Sequence, residues 1–290
     1  MKKLFILVSL LVAFAFVLSS CGGSSFDATK NITVIAREDG SGTKTAFMEI
    51  IGLKGKADPA NVIMQTGTAG VLTEVKSNTA AIAYESLGYA EDPGAKILKV
   101  DGVEATVANI KNGTYKISRP LSVVYQASVL DNPVNQAFLT FLQSSDAQKI
   151  ISEEGYVSVI DNAPAYTIDG SLSGTIDISG STSLQPLMAE KLAVEFENLQ
   201  KNVKVNVSGG GSGTGYKNAD ENVSEFGMIS EEFNIEKAPN CIDFVVCKDG
   251  IAVIVNKENP LDNITMEQLK NIYDEEAGAN AITKWNELIK

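Results

Sequence analysis

The segment ITVIAREDGSGTKTAF, residues 32–47, decides the fold class of this chain. The β-branched run from Ile32 to Ile35 predicts a strand, the residues from Lys44 to Ile51 predict a helix, and a Gly/Ser/Thr turn lies between them. A strand, a glycine turn and a helix start together present free backbone N–H groups to an anion. Arg37 adds a permanent positive charge whose planar fork suits a tetrahedral oxyanion, and Asp39 is placed to hold that guanidinium. A single turn of this kind is more often only a helix cap.

Two similar turns occur far along the chain. The turn SGSTS, residues 179–183, and the turn SGGGSGTG, residues 208–215, each follow a predicted strand and precede a predicted helix. Three such turns favour one shared anion site, because desolvating an anion requires many converging donors. The GxxxxGK[ST] pattern and the GxGxxG pattern with its distal acidic residue are both missing, so the sequence does not support nucleotide binding.

The composition excludes several classes of function. The chain has 290 residues, of which 24 are Lys or Arg and 36 are Asp or Glu, and its net charge is −12. Such an acidic protein is a poor candidate for nucleic-acid binding through its global field. The sequence contains no histidine, which excludes histidine-ligated metals and Ser-His-Asp catalysis. We find no nucleophile with a base and no clustered metal–carboxylate motif, so we predict a protein that is not an enzyme and has no metal or cofactor.

The N-terminal sequence has the pattern of an export signal. Two lysines precede an apolar run from Leu4 to Leu18, and the following LSSC ends at Cys21. This segment resembles the lipobox of bacterial lipoproteins, in which the cysteine is lipidated and becomes the mature N-terminus. The alternatives are an ordinary signal peptide with a chance cysteine, or a transmembrane anchor, for which the run is short. We therefore interpret residues 1–20 as a signal peptide and 21–30 as a flexible tether, with the protein lipid-anchored on the extracytoplasmic face of the cell membrane.

Strand-like and helix-like segments alternate along the rest of the chain, which predicts an α/β fold. Asn132-Pro133 begins an amphipathic helix that the periodicity extends to about Glu153. Residues 160–174 are rich in turn formers and predict a linker, after which the pattern resumes, with a helix at 184–199. Cys241 and Cys247 flank a predicted strand that would hold their sulfurs roughly 20 Å apart, so we predict no disulfide.

Several strings resemble the PstS family, the phosphate-binding lipoproteins of bacterial phosphate ABC transporters. They are ITVIAREDGSGTKTAF (32–47), TGTAGVLTEVKSNTAAIAYESLG (66–88), ISGSTSLQPLMAEKLA (178–193), VSGGGSGTGYKNA (207–219) and DGIAVIVNKENPLDNITMEQLKNIY (249–273). The resemblance implies a two-lobed periplasmic-binding-protein-like fold. Each lobe is a mixed sheet flanked by helices, two crossover strands join the lobes, and the anion is buried between them. It also implies a monomer that captures inorganic phosphate and delivers it to an ABC permease.

The order of the motifs differs from that of the family. There the GSTS turn comes first and the REDGSGT turn lies in the second half, whereas here the order is reversed. We interpret this as a circular permutation, which compact domains with neighbouring termini tolerate; the alternative is a fragment of a tandem array. The predicted lobes are 31–122 plus 257–290 (lobe A) and 123–256 (lobe B). The first turn is then expected to share lobe A with the segment around Trp285.

The resemblance also implies a set of phosphate ligands. In the first turn they are Arg37, Ser41, Gly42 and Thr43, with Asp39 as the support of Arg37. The other turns contribute Thr182, Ser183 and Ser212. Ser230 occupies a place where family members carry Asp or Ser, and whether Ser230 or its neighbour Glu231 contacts the ligand stays open. A serine donates to any form of phosphate, whereas an aspartate would demand a protonated oxygen.

Three alternatives remain for the function. The site could take another oxyanion, such as sulfate, molybdate or phosphonate. The binding fold could instead serve as a surface sensor or interaction module without transport. A hydrolase of phosphate esters is disfavoured by the missing histidine.

Overall fold

The computed structural model of the protein describes residues 25–289, in which strands and helices alternate. The strands are β1 Thr33–Arg37, β2 Ile63–Gln65, β3 Ala81–Ser86, β4 Ala95–Ile97, β5 Lys99–Val100, β6 Ser118–Gln126, β7 Ser173–Gly180, β8 Asn202–Ser208, β9 Phe226–Ile229, β10 Cys241–Asn256 and β11 Asn263–Ile264. The α-helices are α1 Gly42–Ile50, α2 Gly67–Ser77, α3 Leu87–Ala90, α4 Val107–Lys111, α5 Pro133–Leu142, α6 Ser145–Glu153, α7 Gln185–Leu187, α8 Ala193–Leu199, α9 Ser212–Asp220 and α10 Met266–Tyr273. This arrangement confirms the predicted α/β fold.

The long strand β10 connects two groups of strands. Its C-terminal half pairs antiparallel with β3 and β4, and β3 continues through parallel β1 to β2. Its N-terminal half pairs antiparallel with β6, which continues through β9 and β7 to β8. The resulting order is β2-β1-β3-β10-β6-β9-β7-β8. The predicted pair of crossover strands is therefore present as β6 and β10.

Each group of strands packs on a hydrophobic core of its own. The first core includes residues of β1, β3, α1, α2 and α10, and the second includes residues of β6, β7, α5 and α8. The chain passes from the first core to the second between Ile117 and Leu121, near the start of β6. It returns to the first core between Cys247 and Ile251, within β10. We use lobe A for the part around the first core and lobe B for the part around the second. The residue-level division into 31–122 plus 257–290 and 123–256 remains a prediction.

The first strand packs against the C-terminal segment in lobe A, as the order of the motifs predicts. Ile32 N–H donates to the Thr283 carbonyl at 2.7 Å. The indole of Trp285 is fully buried, donates to the Ala80 carbonyl at 3.0 Å and stacks edge-on against Phe26. The turn after β1 is therefore anchored in a core that both segments complete.

Two long predicted helices are interrupted. The helix expected from Asn132 to Glu153 is two helices, because Ser144 ends α5 and caps α6: its hydroxyl donates to the Phe141 carbonyl at 2.6 Å and accepts from Ala147 N–H at 3.3 Å. The helix expected at 184–199 contains a π-helical turn at Met188–Leu192 between α7 and α8. Apolar periodicity continues through both breaks, which is why the sequence predicted single helices.

Cys241 and Cys247, for which the sequence predicts no disulfide, are free thiols buried in β10. Residues 160–172 contain no helix or strand, and β7 begins at Ser173, so the predicted linker of residues 160–174 ends two residues early.

No helix between residues 25 and 289 is long and apolar enough to cross a bilayer.

Candidate functional site

The three predicted turns meet between the lobes. In lobe A, β1 ends at Arg37 and α1 begins at Gly42, with Ser41 as its N-cap. In lobe B, α9 begins at Ser212, and the N–H of Gly213 donates to the Gly40 carbonyl at 2.9 Å. The turns of residues 40–43 and 211–213, which are far apart in sequence, are therefore in direct backbone contact.

Hydroxyl groups of the predicted ligands pair across this meeting point. Thr43 Oγ1 lies 3.0 Å from Ser183 Oγ, and both residues are buried. Ser212 Oγ lies 3.2 Å from Ser230 Oγ and accepts from Ser230 N–H at 3.0 Å. A methyl group on Gly42 would collide with Ser212 Oγ and would lie 2.8 Å from Ser230 Oγ, so only glycine lets the backbone approach this cluster.

Arg37 lies at the edge of the hydroxyl cluster and is 1% exposed. Its Nε and Nη2 donate to the two oxygens of Glu38 at 2.8 and 2.9 Å. Its Nη1 lies 3.2 Å from Glu85 Oε2, and its Nη2 also donates to Thr182 Oγ1 at 3.0 Å. Thr182 belongs to the SGSTS turn, so the guanidinium links lobe A directly to lobe B.

The two carboxylates beside Arg37 differ in their protonation behaviour. Burial raises the pKa of Glu85 above the ordinary value, and the charge of Arg37 offsets this only in part. Burial also opposes ionisation of Glu38, but the bonds from Arg37 and the Gly67 N–H outweigh it and lower the pKa of Glu38. Glu38 is therefore a stable anion on the guanidinium.

Glu38 and Glu85 take the supporting place that the sequence prediction gave to Asp39. The Asp39 carboxylate is largely exposed and binds Lys44 Nζ at 2.7 Å. Lys44 Nζ also binds Asp58 at 2.6 Å. Asp39 therefore links the outer side of the turn to Lys44 in α1 and does not contact Arg37. The sequence prediction did not include Glu85, because Glu85 lies 48 residues from Arg37. The one signal in the sequence was a charged residue near the end of the otherwise apolar strand β3, which indicates a charge that needs a partner.

A second buried ion pair lies on the crossover strands. Arg119 of β6 is directly opposite Asp249 of β10, and Nη2 donates to Oδ2 at 3.2 Å. Nη1 of Arg119 donates to the Ser230 carbonyl at 3.0 Å, which ties the crossover strands to the end of β9. Burial raises the pKa of Asp249, with Arg119 acting against it. The sequence prediction did not include this pair.

Ser230 and Glu231 have different surroundings. The Ser230 hydroxyl faces Ser212 in the cluster. Both oxygens of Glu231 accept from Lys237 Nζ, at 2.8 and 2.9 Å. Ser230 is therefore the better placed of the two to meet a ligand of the hydroxyl cluster.

A cavity of about 290 Å³ opens beside Thr182, at the mouth of the interlobe contact. Thr66, Gly67 and Thr68 line it from lobe A, and Gln185 and Pro186 line it from lobe B. Within residues 25–289, no cluster of His, Cys, Asp and Glu could hold a metal ion. The predicted lipidation site, Cys21, lies outside the described residues.

The chain is similar to known binding proteins over most of its length. A model of the PBP superfamily domain matches residues 24–146 and 166–290. The phosphate-binding protein PstS 2 of Streptococcus agalactiae is 34% identical over 284 residues, which cover 94% of each chain. The crystal structure of a phosphate-binding protein of a phosphate ABC transporter from Streptococcus pneumoniae is 31% identical, with a TM-score of 0.69 over 89% of this chain and 99% of that one.

A relative from Pseudomonas aeruginosa, the phosphate-binding protein PstS, matches differently. It is 33% identical over 138 residues, which are 45% of this chain and 42% of its own length. The match with the streptococcal PstS 2, by contrast, covers 94% of both chains. The circular permutation stays a prediction.

Proposed function

This chain belongs to the PstS proteins of the PBP superfamily, and on that premise we propose that it captures inorganic phosphate between its lobes and delivers it to an ABC permease. The observation that carries the proposal is the meeting of one buried arginine with serine and threonine hydroxyls from both lobes. Arg37 and Thr182 are 145 residues apart in the chain and 3.0 Å apart in space. Nothing in the local sequence explains why these two residues meet. A shared anion site explains it, because such a site needs donors from both lobes close together.

The proposed ligands are those that the resemblance to the PstS family implies. Arg37 supplies the charge, and Ser41, Gly42 and Thr43 supply donors at the start of α1. Lobe B supplies Thr182, Ser183, Ser212 and Ser230. Because hydroxyls can donate or accept, they suit a ligand whose oxygens change protonation near neutral pH. The start of α9, a helix of nine residues, adds the positive end of a helix dipole.

Hinge closure is the proposed mechanism of capture. The bonds from Arg37 to Thr182 and from Thr43 to Ser183 join the lobes. When the lobes separate, these groups become accessible to the anion; when they close, they exclude water from it and strengthen each hydrogen bond. The crossover strands β6 and β10 are the connections about which the lobes would move.

The remaining parts of the proposal concern location and partners. The lipid anchor on Cys21 would hold the protein on the extracytoplasmic side of the cell membrane, where it meets its permease. We propose that the protein is not an enzyme, since relatives similar over nearly the whole chain are named as binding proteins. We also propose that it is a monomer, as the family resemblance implies.

A competition titration tests the choice of ligand. Calorimetry with phosphate, sulfate, molybdate and a phosphonate at several pH values should show tightest binding of phosphate, with an affinity that changes through its own titration near neutrality. Binding of sulfate with a pH-independent affinity at least as tight would replace phosphate by another oxyanion. Turnover of an aryl phosphate by the purified protein would contradict a pure binding role. Unimpaired growth on limiting phosphate after gene deletion would favour a sensor over a transport component.

A further inference from the structure

The fork of Arg37 is already occupied by an anion of the protein itself. The Glu38 carboxylate receives two parallel bonds, from Nε at 2.8 Å and from Nη2 at 2.9 Å. Glu38 Oε2 also accepts from the N–H of Gly67, at the start of α2, at 3.2 Å. A guanidinium edge and a helix N–H are the donors that a tetrahedral oxyanion seeks.

Two of the three remaining donors of Arg37 are also engaged. A guanidinium has five N–H groups; two bind Glu38, one Nη2–H binds Thr182 and one Nη1–H faces Glu85. An anion that takes a bidentate grip must therefore displace a partner. Glu85 is completely buried in β3, whereas the Glu38 side chain lies in the turn and is 24% exposed. Glu38 is the partner that can move aside.

We propose that Glu38 is an affinity-determining residue that competes with the anion for the fork of Arg37 and for the Gly67 N–H. The inference rests on the proposed function, in which Arg37 binds phosphate. Two negative groups on one guanidinium repel each other, most strongly where water is excluded. Phosphate must therefore move the Glu38 carboxylate off Nε and Nη2, and part of the binding free energy is spent on that displacement.

The opposite role predicts the opposite sign. If Glu38 only held Arg37 in position, removing its charge would loosen the guanidinium and weaken phosphate binding. If Glu38 competes, removing the charge frees two donors and tightens binding. Asp39 is a matched control, because it is the next residue in the same turn and its carboxylate binds Lys44.

The test is calorimetry with inorganic phosphate on phosphate-free protein at one salt concentration. Glu38→Gln should bind phosphate at least about tenfold more tightly than the wild type, since charge-assisted bonds of this kind carry such differences. Glu38→Ala should change affinity in the same direction, and Asp39→Asn should leave it within about twofold. Thermal unfolding without phosphate checks that each variant is folded.

The outcomes separate the two proposals. Wild-type protein that binds phosphate, together with Glu38→Gln that binds it equally or more weakly, overturns the competition and leaves the proposed function standing. Wild-type protein and Glu38→Gln that both fail to take phosphate overturn the proposed function and the competition with it. A further comparison is between the double variant Glu38→Gln/Arg37→Lys and Arg37→Lys alone. If Glu38→Gln tightens phosphate binding as much in the Arg37→Lys protein as in the wild type, the competition lies away from Arg37 and the inference is overturned as stated.

Discussion

Thr43 Oγ1 and Ser183 Oγ lie 3.0 Å apart and are both buried, although 140 residues separate them in the chain. Thr43 is in the first turn of α1 in lobe A, and Ser183 belongs to the turn after β7 in lobe B. The hydroxyl pair is therefore a direct connection between the lobes, formed by two residues that the sequence had assigned to the same ligand.

Removing either hydroxyl of this pair should weaken phosphate binding. We expect Thr43→Val and Ser183→Ala each to raise the Kd for phosphate about tenfold, because each deletes one hydrogen bond to a buried anion. Calorimetry of both variants and of the double variant measures the effect. Thr140→Val is a matched control: this exposed hydroxyl bonds only its own helix, at the Gln136 carbonyl, so the Kd should not change. Wild-type affinity in the double variant would remove both residues from the site.

The close backbone approach at Gly42 predicts a steric block. Gly42→Ala places a methyl group against Ser212 Oγ and 2.8 Å from Ser230 Oγ. The two turns must then separate, so phosphate affinity should fall by about a hundredfold or more. Gly170→Ala controls for the substitution itself, because nothing lies within 4 Å of a methyl group at that position. If Gly42→Ala retained phosphate affinity, these turns would not enclose the ligand.

Glu85 should leave a signature in the pH dependence of stability. Its pKa is raised in the folded protein, so the folded state holds this proton more firmly than the unfolded state does. Above the ordinary carboxyl pKa of about 4.3, this group makes the free energy of unfolding fall as pH rises, by at most about 1.4 kcal/mol per pH unit. Denaturant titrations from about pH 4 to about pH 7 should therefore show a less negative slope for Glu85→Gln than for the wild type. Parallel curves would show that the pKa of Glu85 is not raised on folding.

The lipid anchor gives a prediction in cells. Cys21→Ser removes the thiol that would carry the lipid, so the protein should move from the membrane fraction to the medium or the soluble extracytoplasmic fraction. Cell fractionation with immunoblotting measures this, and Cys241→Ser provides a control with a buried thiol in β10. Membrane retention of the Cys21→Ser protein would favour a transmembrane anchor or another attachment.

Local patterns were sufficient to predict the turns and the alternation of strands and helices, whereas the two lobes were implied by the resemblance to the PstS family. The turn at residues 37–43 was visible because a strand, glycines and a helix start follow each other within a few residues. The contacts of Arg37 with Glu85 and of Ser230 with Arg119 were not visible, because they form only after folding, across 48 and 111 residues. The break at Ser144 was missed for a different reason: a serine cap is weak beside an apolar periodicity that continues through it.

Asp39 shows the limit of reasoning from spacing. Its position two residues after Arg37 suggested a support, but the side chain faces Lys44 on the outer side of the turn. Glu38, one residue earlier, faces the guanidinium instead. Within a turn, the backbone dihedral angles decide where each side chain points, and they are not readable from residue types alone.

The most direct test is the phosphate affinity of Arg37→Lys against that of the wild type. Lysine keeps a positive charge beside the buried Glu85 but lacks the planar fork, so the fold should persist and the bidentate grip should be lost. Calorimetry should show that the wild type binds one phosphate per chain and that Arg37→Lys binds at least about a hundredfold more weakly. Wild-type protein without phosphate binding, or a folded Arg37→Lys variant with wild-type affinity, would contradict a phosphate site built on Arg37.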